Sequence, residues 1–128
     1  MSRAPRRRGA LTLAIAAALT MTLAGPGAAH ADAASGCPGH RVKSVRFTTG
    51  TLEIFRSGEN VCAVTLAKSP GPRRQMSVLL QARGATPVVD SGRFTRLAGP
   101  VKVRAMNRCV RAVGAVSGKQ GASGWILC

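Results

Sequence analysis

The sequence predicts a small single-domain all-β protein, an antiparallel sandwich or barrel of about seven to nine short strands with two disulfides. Three observations favour this fold class. Short runs rich in Val, Leu, Ile, Phe and Thr are separated by Gly, Pro, Ser and Asn, which is the pattern of successive strands and turns. Beyond residue 31, no window of about eleven or more residues keeps a helical apolar period. The chain also has 4 cysteines, an even number typical of a disulfide framework in a short exported protein.

Residues 1–31 have the organisation of a secretory signal peptide. Several arginines near the start form a positive region, and an uncharged run rich in Ala and Leu follows over residues 10–24. This run is shorter than the roughly 20 apolar residues that a membrane span needs. Ala29-His30-Ala31 is an A-x-A cleavage signal. We therefore expect cleavage after Ala31 by a general or twin-arginine export route, with no transmembrane segment left in the secreted protein.

Cleavage would leave a flexible arm, residues 32–36, and one β domain, residues 37–128. A chain of this size buries only about 60–68% of its unfolded surface on folding, so its core is modest. It is too short for a Rossmann fold, a TIM barrel or most cofactor enzymes. We expect no cofactor, and we expect covalent cross-links to supplement the core.

The four cysteines, Cys37, Cys62, Cys109 and Cys128, all lie in the predicted β domain, and export would place them in an oxidising compartment. Four cysteines allow three pairings, and the sequence alone does not choose between them. We favour Cys37–Cys62 and Cys109–Cys128, because each closes a local ring of about 20–26 residues that would stabilise the fold by roughly 3–4 kcal/mol. The alternative is zinc, since Cys37 and His40 have Cys-x-x-His spacing and Cys62 could add a third ligand. No further pair completes a zinc ligand set, so we expect no metal.

The first half of the domain shows three strand patterns ended by turn residues. The third pattern is the clearest, with Cys62, Val64 and Leu66 alternating on one face. Residues 68–74 contain two prolines and a glycine, which excludes a central strand and indicates a loop. The three predicted strands lie within residues 41–48, 51–56 and 60–66.

The second half continues with alternating apolar residues from Met76 to Ala82 and a short extended piece over residues 87–90. Asp90-Ser91-Gly92 has ordinary turn chemistry, so a turn is predicted there before a strand over residues 93–97. Gly99-Pro100 predicts a further break. The remaining predicted strands cover residues 101–106, 109–116 and 124–128.

The aromatic residues of the domain are few: Phe47, Phe55, Phe94 and Trp125. We expect all four in the core, together with Val and Leu side chains. Proteins that bind single-stranded nucleic acids stack the bases on exposed aromatic rings between basic residues. Because no such exposed ring is expected and no nucleic-acid-binding motif is present, we do not expect a nucleic-acid partner.

No motif with a catalytic mechanism is present. A Ser-His-acid triad would have to use His40 with Asp90 and Ser91, which are not part of a G-x-S-x-G elbow. A glycosidase would need two carboxylates from Glu53, Glu59 and Asp90, and surface pairing with nearby basic residues explains these acids more simply. No phosphate loop or dinucleotide fingerprint occurs. We therefore expect a protein without enzymatic activity.

Positive charge is the strongest chemical feature of the sequence. The chain has 19 Lys and Arg against 4 Asp and Glu, a formal net charge of +15. Such a surface keeps a secreted protein soluble, and it also attracts polyanions such as cell-wall or spore-surface polymers. Three basic residues, Lys68, Arg73 and Arg74, lie close together in one predicted loop. The residues that we assign to polyanion binding are Arg93, Arg96, Lys102, Arg104, Arg108 and Arg111, and we expect the first four to share a sheet face.

Further motifs extend across Cys37 to Cys128. The most specific are the block Asp90-Ser91-Gly92 followed by Ala98-Gly99-Pro100-Val101, and the four-cysteine spacing. Supporting segments are residues 36–42, 50–55, 60–65, 109–110 and 113–116. Together they resemble spore-associated protein A and its small secreted relatives in Streptomyces and allied actinobacteria. The resemblance implies an exported protein found with spores or aerial growth, with structural cysteines, no established enzymatic activity and no catalytic or ligand residues to transfer.

The sequence thus predicts a secreted, non-enzymatic protein with a structural role or an association with the spore or cell surface. Two alternatives remain open. One is a cationic, antimicrobial-like module that binds anionic envelope polymers. The other is an inhibitor of an extracellular protease that presents the loop at residues 68–74. Because no amphipathic helix with a basic face is evident, adsorption is favoured over membrane lysis.

Overall fold

A computed structural model describes residues 35–128, which form two four-stranded antiparallel sheets packed as a sandwich. The first sheet has the strand order β1-β2-β3-β6 and the second the order β5-β4-β7-β8. The predicted all-β fold is confirmed, and it is the sandwich rather than the closed barrel. The strands are β1 (His40–Phe47), β2 (Gly50–Ser57), β3 (Asn60–Ala67), β4 (Arg74–Ala82), β5 (Val88–Phe94), β6 (Leu97–Arg104), β7 (Val110–Val116) and β8 (Lys119–Ala122).

The predicted signal peptide, residues 1–31, and residues 32–34 of the predicted arm lie outside the described residues. The described end of the arm is packed against the domain. Ser35 is only 4% exposed, and its Oγ accepts a hydrogen bond of 3.2 Å from the amide of Cys37. Within residues 35–128, no helix has the length and apolar content needed to cross a membrane.

The main core lies between the inner faces of the two sheets. Period-two alternation sends Leu52 and Ile54 of β2 inward, where they meet Met76, Val78 and Leu80 of β4, and all five side chains are fully buried. Each fully buried side chain of this size stabilises the fold by about 1.5–3 kcal/mol relative to exposure. The alternation of apolar residues along the strands therefore determines which side chains form this core.

A second, smaller core covers the outer face of the first sheet. Strand β3 is buried on both faces, and its outward side chains Cys62 and Val64 pack with Phe55 and Cys37. Cys37 reaches this face because the segment before β1 crosses it and is bonded to Cys62. The disulfide thus covers a strand that the two sheets alone would leave exposed.

Both favoured disulfides are present. Cys37 and Cys62 are 25 residues apart in sequence with Cα atoms 5.6 Å apart, and Cys109 and Cys128 are 19 residues apart with Cα atoms 4.1 Å apart. The zinc alternative is wrong, because Cys37 and Cys62, two of its ligands, are bonded to each other. No group of three or more potential metal ligands occurs within the part of the chain that the structure describes.

The turn predicted at Asp90-Ser91-Gly92 is wrong, since these residues lie inside β5 and pair with β4. Turn propensity is local, whereas Asp90 has a tertiary partner. Its Oδ2 accepts a hydrogen bond of 2.7 Å from the amide of Gly99, which joins the edge strands of the two sheets. The chain turns later, at Thr95-Arg96, between β5 and β6.

The predicted break at Gly99-Pro100 is also absorbed into a strand, β6. Gly99 has a φ of +94°, and the pairing of β6 with β3 shifts register between Ala63 and Thr65. Because β6 is an edge strand, a bulge and a proline fit there without disrupting a central ladder. The cis peptide bond between Gly99 and Pro100 lies in the same irregular stretch.

The C-terminal strand predicted over residues 124–128 is reduced to one bridge, between Val110 and Ile126. The eighth strand is instead β8, a short and mostly exposed segment that carries no apolar alternation to indicate it. The prediction of Trp125 as a core residue is wrong as well, since its side chain is 40% exposed. Phe55 is buried, and Phe47 and Phe94 are half-buried.

Candidate anion-binding site at one end of the sandwich

The two ends of the sandwich are built from different connections. At one end lie the β1–β2, β3–β4, β5–β6 and β7–β8 connections, which are residues 48–49, 68–73, 95–96 and 117–118. We call this the basic end. At the opposite end lie the β2–β3, β4–β5 and β6–β7 connections and the C-terminal segment, and we call this the disulfide end.

Backbone hydrogen bonds order the basic end. The amide of Lys68 donates to the carbonyl of Thr49 at 2.9 Å, which ties the β3–β4 loop to the β1–β2 turn. The amides of Ala67 and Gly71 donate to the carbonyls of Arg96 and Thr95, at 2.9 and 3.2 Å. The proline-rich loop is therefore held against two neighbouring turns rather than extending into solvent.

Basic side chains gather at this end from its connections and from the strand residues within two positions of them. No acidic residue among residues 35–128 lies in these connections or within two positions of them. Arg74 is half-buried and the others are exposed. The basic residues in these windows are Arg46, Lys68, Arg73, Arg74, Arg93, Arg96 and Lys119.

Three of these arginines, Arg73, Arg93 and Arg96, line one open cleft of about 280 Å³. Phe94, Thr95 and Leu97 complete its lining. Arg73 reaches the cleft from the β3–β4 loop, and its Nη1 donates a hydrogen bond of 3.0 Å to the carbonyl of Arg93. This bond ties the Arg73 guanidinium to the backbone of β5, next to the β5–β6 turn.

A second concave region lies at the same end, between the β1–β2 turn and the start of the β3–β4 loop. It encloses about 500 Å³. Lys68 lines it, and the loop that begins at Lys68 ends at Arg73 in the first cleft. One loop thus contributes a basic residue to each depression. The residues that line the second are Arg46, Phe47, Thr48, Gly50, Thr51 and Lys68.

The described acidic residues are engaged elsewhere. Glu53 Oε2 lies 3.0 Å from Arg41 Nη1 on the outer face of the first sheet, and Glu59 Oε1 lies 2.7 Å from Arg104 Nη2 at the disulfide end. Asp90, in the middle of β5, holds the Gly99 amide. Because carboxylates partner arginines away from the basic end, they do not neutralise its charge.

The six residues assigned to polyanion binding from the sequence divide between the two ends. Arg93 and Arg96 belong to the basic end. Lys102 and Arg104 are on β6, which belongs to the first sheet, whereas Arg93 is on β5 of the second sheet. The expectation that these four share one sheet face is therefore wrong. Arg108 and Arg111 lie towards the disulfide end.

Arg111 takes part in packing the C-terminal segment. Its guanidinium carbon lies 5.6 Å from the centre of the Trp125 ring, and that of Arg83 lies 4.5 Å from it. The Nε of Arg111 also donates a hydrogen bond of 2.7 Å to Gln81 Oε1. These contacts engage Trp125 at the surface. The expectation that all four aromatic rings are buried, which counted against a nucleic-acid partner, is therefore wrong for this ring.

The structure does not assemble the candidate catalytic groups. His40 begins β1, at one edge of the sandwich, whereas Asp90 and Ser91 lie on β5 at the other edge. Glu53 and Glu59 each form an ion pair with an arginine, as the sequence interpretation expected of surface acids. These placements offer no arrangement for a triad or for a pair of cleft carboxylates.

Arg46 and Lys119 are basic-end residues that the sequence analysis did not single out. They are separated from the proline-rich loop by more than a strand in sequence, and the topology alone brings them to the same end. The sequence carried one signal of their position, because each lies within two residues of a turn.

Comparisons of the chain with protein-family models, with curated proteins and with solved structures found no match.

Proposed function

We propose that this chain is a secreted, non-enzymatic protein that associates with a spore or cell surface by binding anionic polymers through its basic end. The observation that supports this most is the convergence of basic side chains at four connections and the strand ends beside them, with no acidic residue near those connections in residues 35–128. The signal-peptide pattern and the two disulfides support an extracellular location. The resemblance to spore-associated protein A supports a spore or aerial-cell surface.

The arrangement suits a polyanion more than a small ligand. Clustered charges of one sign create a local potential that attracts and concentrates an oppositely charged partner. The two depressions at the basic end are open, and the β3–β4 loop contributes Lys68 to one and Arg73 to the other, so a chain molecule has more to contact there than a small ligand. Backbone hydrogen bonds between Lys68 and Thr49, and between Gly71 and Thr95, order the loops beforehand, which lowers the entropic cost of binding.

Retention on an immobilised anionic wall polymer tests the proposal. The purified protein is applied at low salt and eluted with rising salt, because electrostatic contacts with a polyanion weaken as salt increases. We expect a basic-end variant, Arg73→Gln/Arg93→Gln/Arg96→Gln, to elute at clearly lower salt than the wild type. Fractionation of a sporulating culture gives the second readout, with release of the native protein from wall or spore at moderate salt.

A charge-matched variant outside the basic end provides the control. Lys43→Gln/Lys102→Gln/Arg108→Gln removes the same formal charge from exposed positions outside the basic end. We expect this variant to elute close to the wild type. Equal loss in the two variants would show that overall charge acts without a preferred end. Failure of the wild type to bind, or its recovery only in the culture medium, would overturn the proposed function.

A further inference from the structure

We propose that the cleft formed by Arg73, Arg93 and Arg96 is a phosphodiester-binding site that recognises the repeating phosphate of a polyol-phosphate polymer. This inference rests on the proposed function and deepens it by naming the group that is bound. It replaces attraction by charge alone with recognition by guanidinium groups at a defined place.

The identity of the basic residues is the first argument. The three cations in the cleft are all arginines. A guanidinium presents a planar fork of N–H donors that can bind two oxygens of an anion at once, whereas a lysine ammonium acts as a point charge. A phosphodiester carries two non-bridging oxygens that match such a fork.

The lining of the cleft is the second argument. Phe94 and Leu97 add apolar surface beside the three guanidinium groups, and Thr95 adds a hydroxyl. A polyol phosphate presents alternating anionic and short carbon segments, which fit a lining of this mixed character. A volume of about 280 Å³ accommodates one phosphate with its flanking carbons rather than a large ligand.

Hydrogen bonds also preorganise the cleft for binding. The hydrogen bond from Arg73 to the Arg93 carbonyl holds one side of the cleft to the other, and the bond from the Gly71 amide to the Thr95 carbonyl fixes the loop that carries Arg73. Arg73, held in this way, loses less side-chain freedom on binding. The second depression of the basic end, lined by Arg46 and Lys68, offers further cations to the same polymer.

Replacement of arginine by lysine separates recognition by a fork from attraction by charge. The wild type and Arg73→Lys/Arg93→Lys/Arg96→Lys are titrated calorimetrically at fixed salt with synthetic poly(glycerol phosphate) and with poly-L-glutamate of equal charge. We expect affinity for the phosphate polymer to fall about tenfold and affinity for polyglutamate to change by less than about twofold. Arg41→Lys, on β1 and outside the cleft, should leave both affinities unchanged.

Thermal unfolding of each variant checks that the fold is retained. The single substitution Arg96→Lys, at an exposed position, gives a milder version of the test. If the lysine variants bind both polymers like the wild type, the phosphodiester inference is overturned while the proposed function stands. If the wild type binds neither polymer, both fail. Vesicles containing phosphatidylglycerol form a further arm, and tighter, arginine-dependent binding to them would overturn the polymer as the source of the phosphodiester.

Discussion

The basic end and the disulfide end of the sandwich use side chains for different purposes. At the disulfide end, side chains bond to one another through the Cys109–Cys128 cross-link, the Arg104–Glu59 ion pair and the stacking of Arg83 on Trp125. At the basic end, backbone hydrogen bonds and the bond from Arg73 to the Arg93 carbonyl hold the loops. Within residues 35–128, neither disulfide and neither ion pair involves a basic-end residue. Under the proposed function, the cross-links that stabilise this small domain lie apart from the surface that binds the polymer.

The energies of these features differ as well. A disulfide that closes a ring of this size contributes roughly 3–4 kcal/mol, whereas an exposed ion pair contributes about 0–1 kcal/mol. Changes to the cross-links should therefore alter stability strongly. Changes at the basic end should alter binding and leave stability nearly constant.

The largest expected effect comes from removing the buried disulfide. Cys37→Ala/Cys62→Ala should lower the free energy of unfolding by about 3 kcal/mol or more, because the ring is opened and the small outer core loses its cover. Denaturant unfolding measures this change. Cys109→Ala/Cys128→Ala is the comparison, and we expect a smaller loss because Cys128 is exposed. Equal losses would show that the outer core adds little to the effect of the cross-link.

The next effect lies in the layer between the two ends. Gly114 of β7 faces Thr65 of β3, and a Cβ at Gly114 would collide with Thr65 Oγ1. That oxygen is buried and has no hydrogen-bond partner in the described part of the chain. Gly114→Ala should therefore destabilise the fold by about 1–3 kcal/mol, measured by denaturant unfolding, and leave polymer affinity unchanged at temperatures where the variant is folded.

A double-mutant cycle identifies the cause of this loss. Thr65→Ala removes the hydroxyl that the new methyl group would meet, so the double variant Thr65→Ala/Gly114→Ala should recover part of the stability that Gly114→Ala loses. Strictly additive losses in the two single variants would contradict a direct contact between these positions.

A smaller effect is expected from placing an acid at each end in turn. Ser69 lies exposed in the β3–β4 loop and Ser57 lies exposed at the start of the β2–β3 turn. Ser69→Glu should weaken binding to an anionic polymer several-fold through local repulsion, and Ser57→Glu should change it little. Both variants should keep their stability within about 0.5 kcal/mol. Similar weakening by both would contradict a localised binding surface.

The smallest effect concerns the ion pair of the disulfide end. Glu59→Gln breaks the contact with Arg104, yet both side chains are substantially exposed, at 48% and 69%. We expect a loss of less than about 1 kcal/mol in thermal or denaturant unfolding. Polymer binding should rise only slightly, since the released arginine is far from the basic end. A large gain in binding would place Arg104 in the binding surface.

The fold could be predicted from the sequence because its signals are local. Alternation over β3 and β4 gave the strands, and short cysteine separations favoured the disulfides that the structure contains. The errors occur where a distant partner decides the local structure. Asp90 stays in a strand because Gly99 binds its carboxylate, and Trp125 stays on the surface because Arg83 and Arg111 stack against it.

The candidate site could be predicted only in part, for a related reason. The cluster of Lys68, Arg73 and Arg74 is visible in one loop of the sequence. Its proximity to Arg46 and Arg96 depends on antiparallel pairing and on two connections, β3–β4 and β5–β6, that pass from one sheet to the other. The spacing of residues in the sequence does not predict these features. The prediction that Lys102 and Arg93 share a sheet face is wrong because the consecutive strands β5 and β6 belong to different sheets.

Amide chemical-shift mapping during titration with short poly(glycerol phosphate) shows whether the polymer binds at the basic end, because it locates the bound polymer without any substitution. We expect shifts that saturate together at residues 46–51, 67–75, 93–97 and 117–119, with the largest around Arg73, Arg93 and Arg96. Shifts centred on Trp125, Lys102 or Arg108, or spread evenly over the molecule, would contradict it.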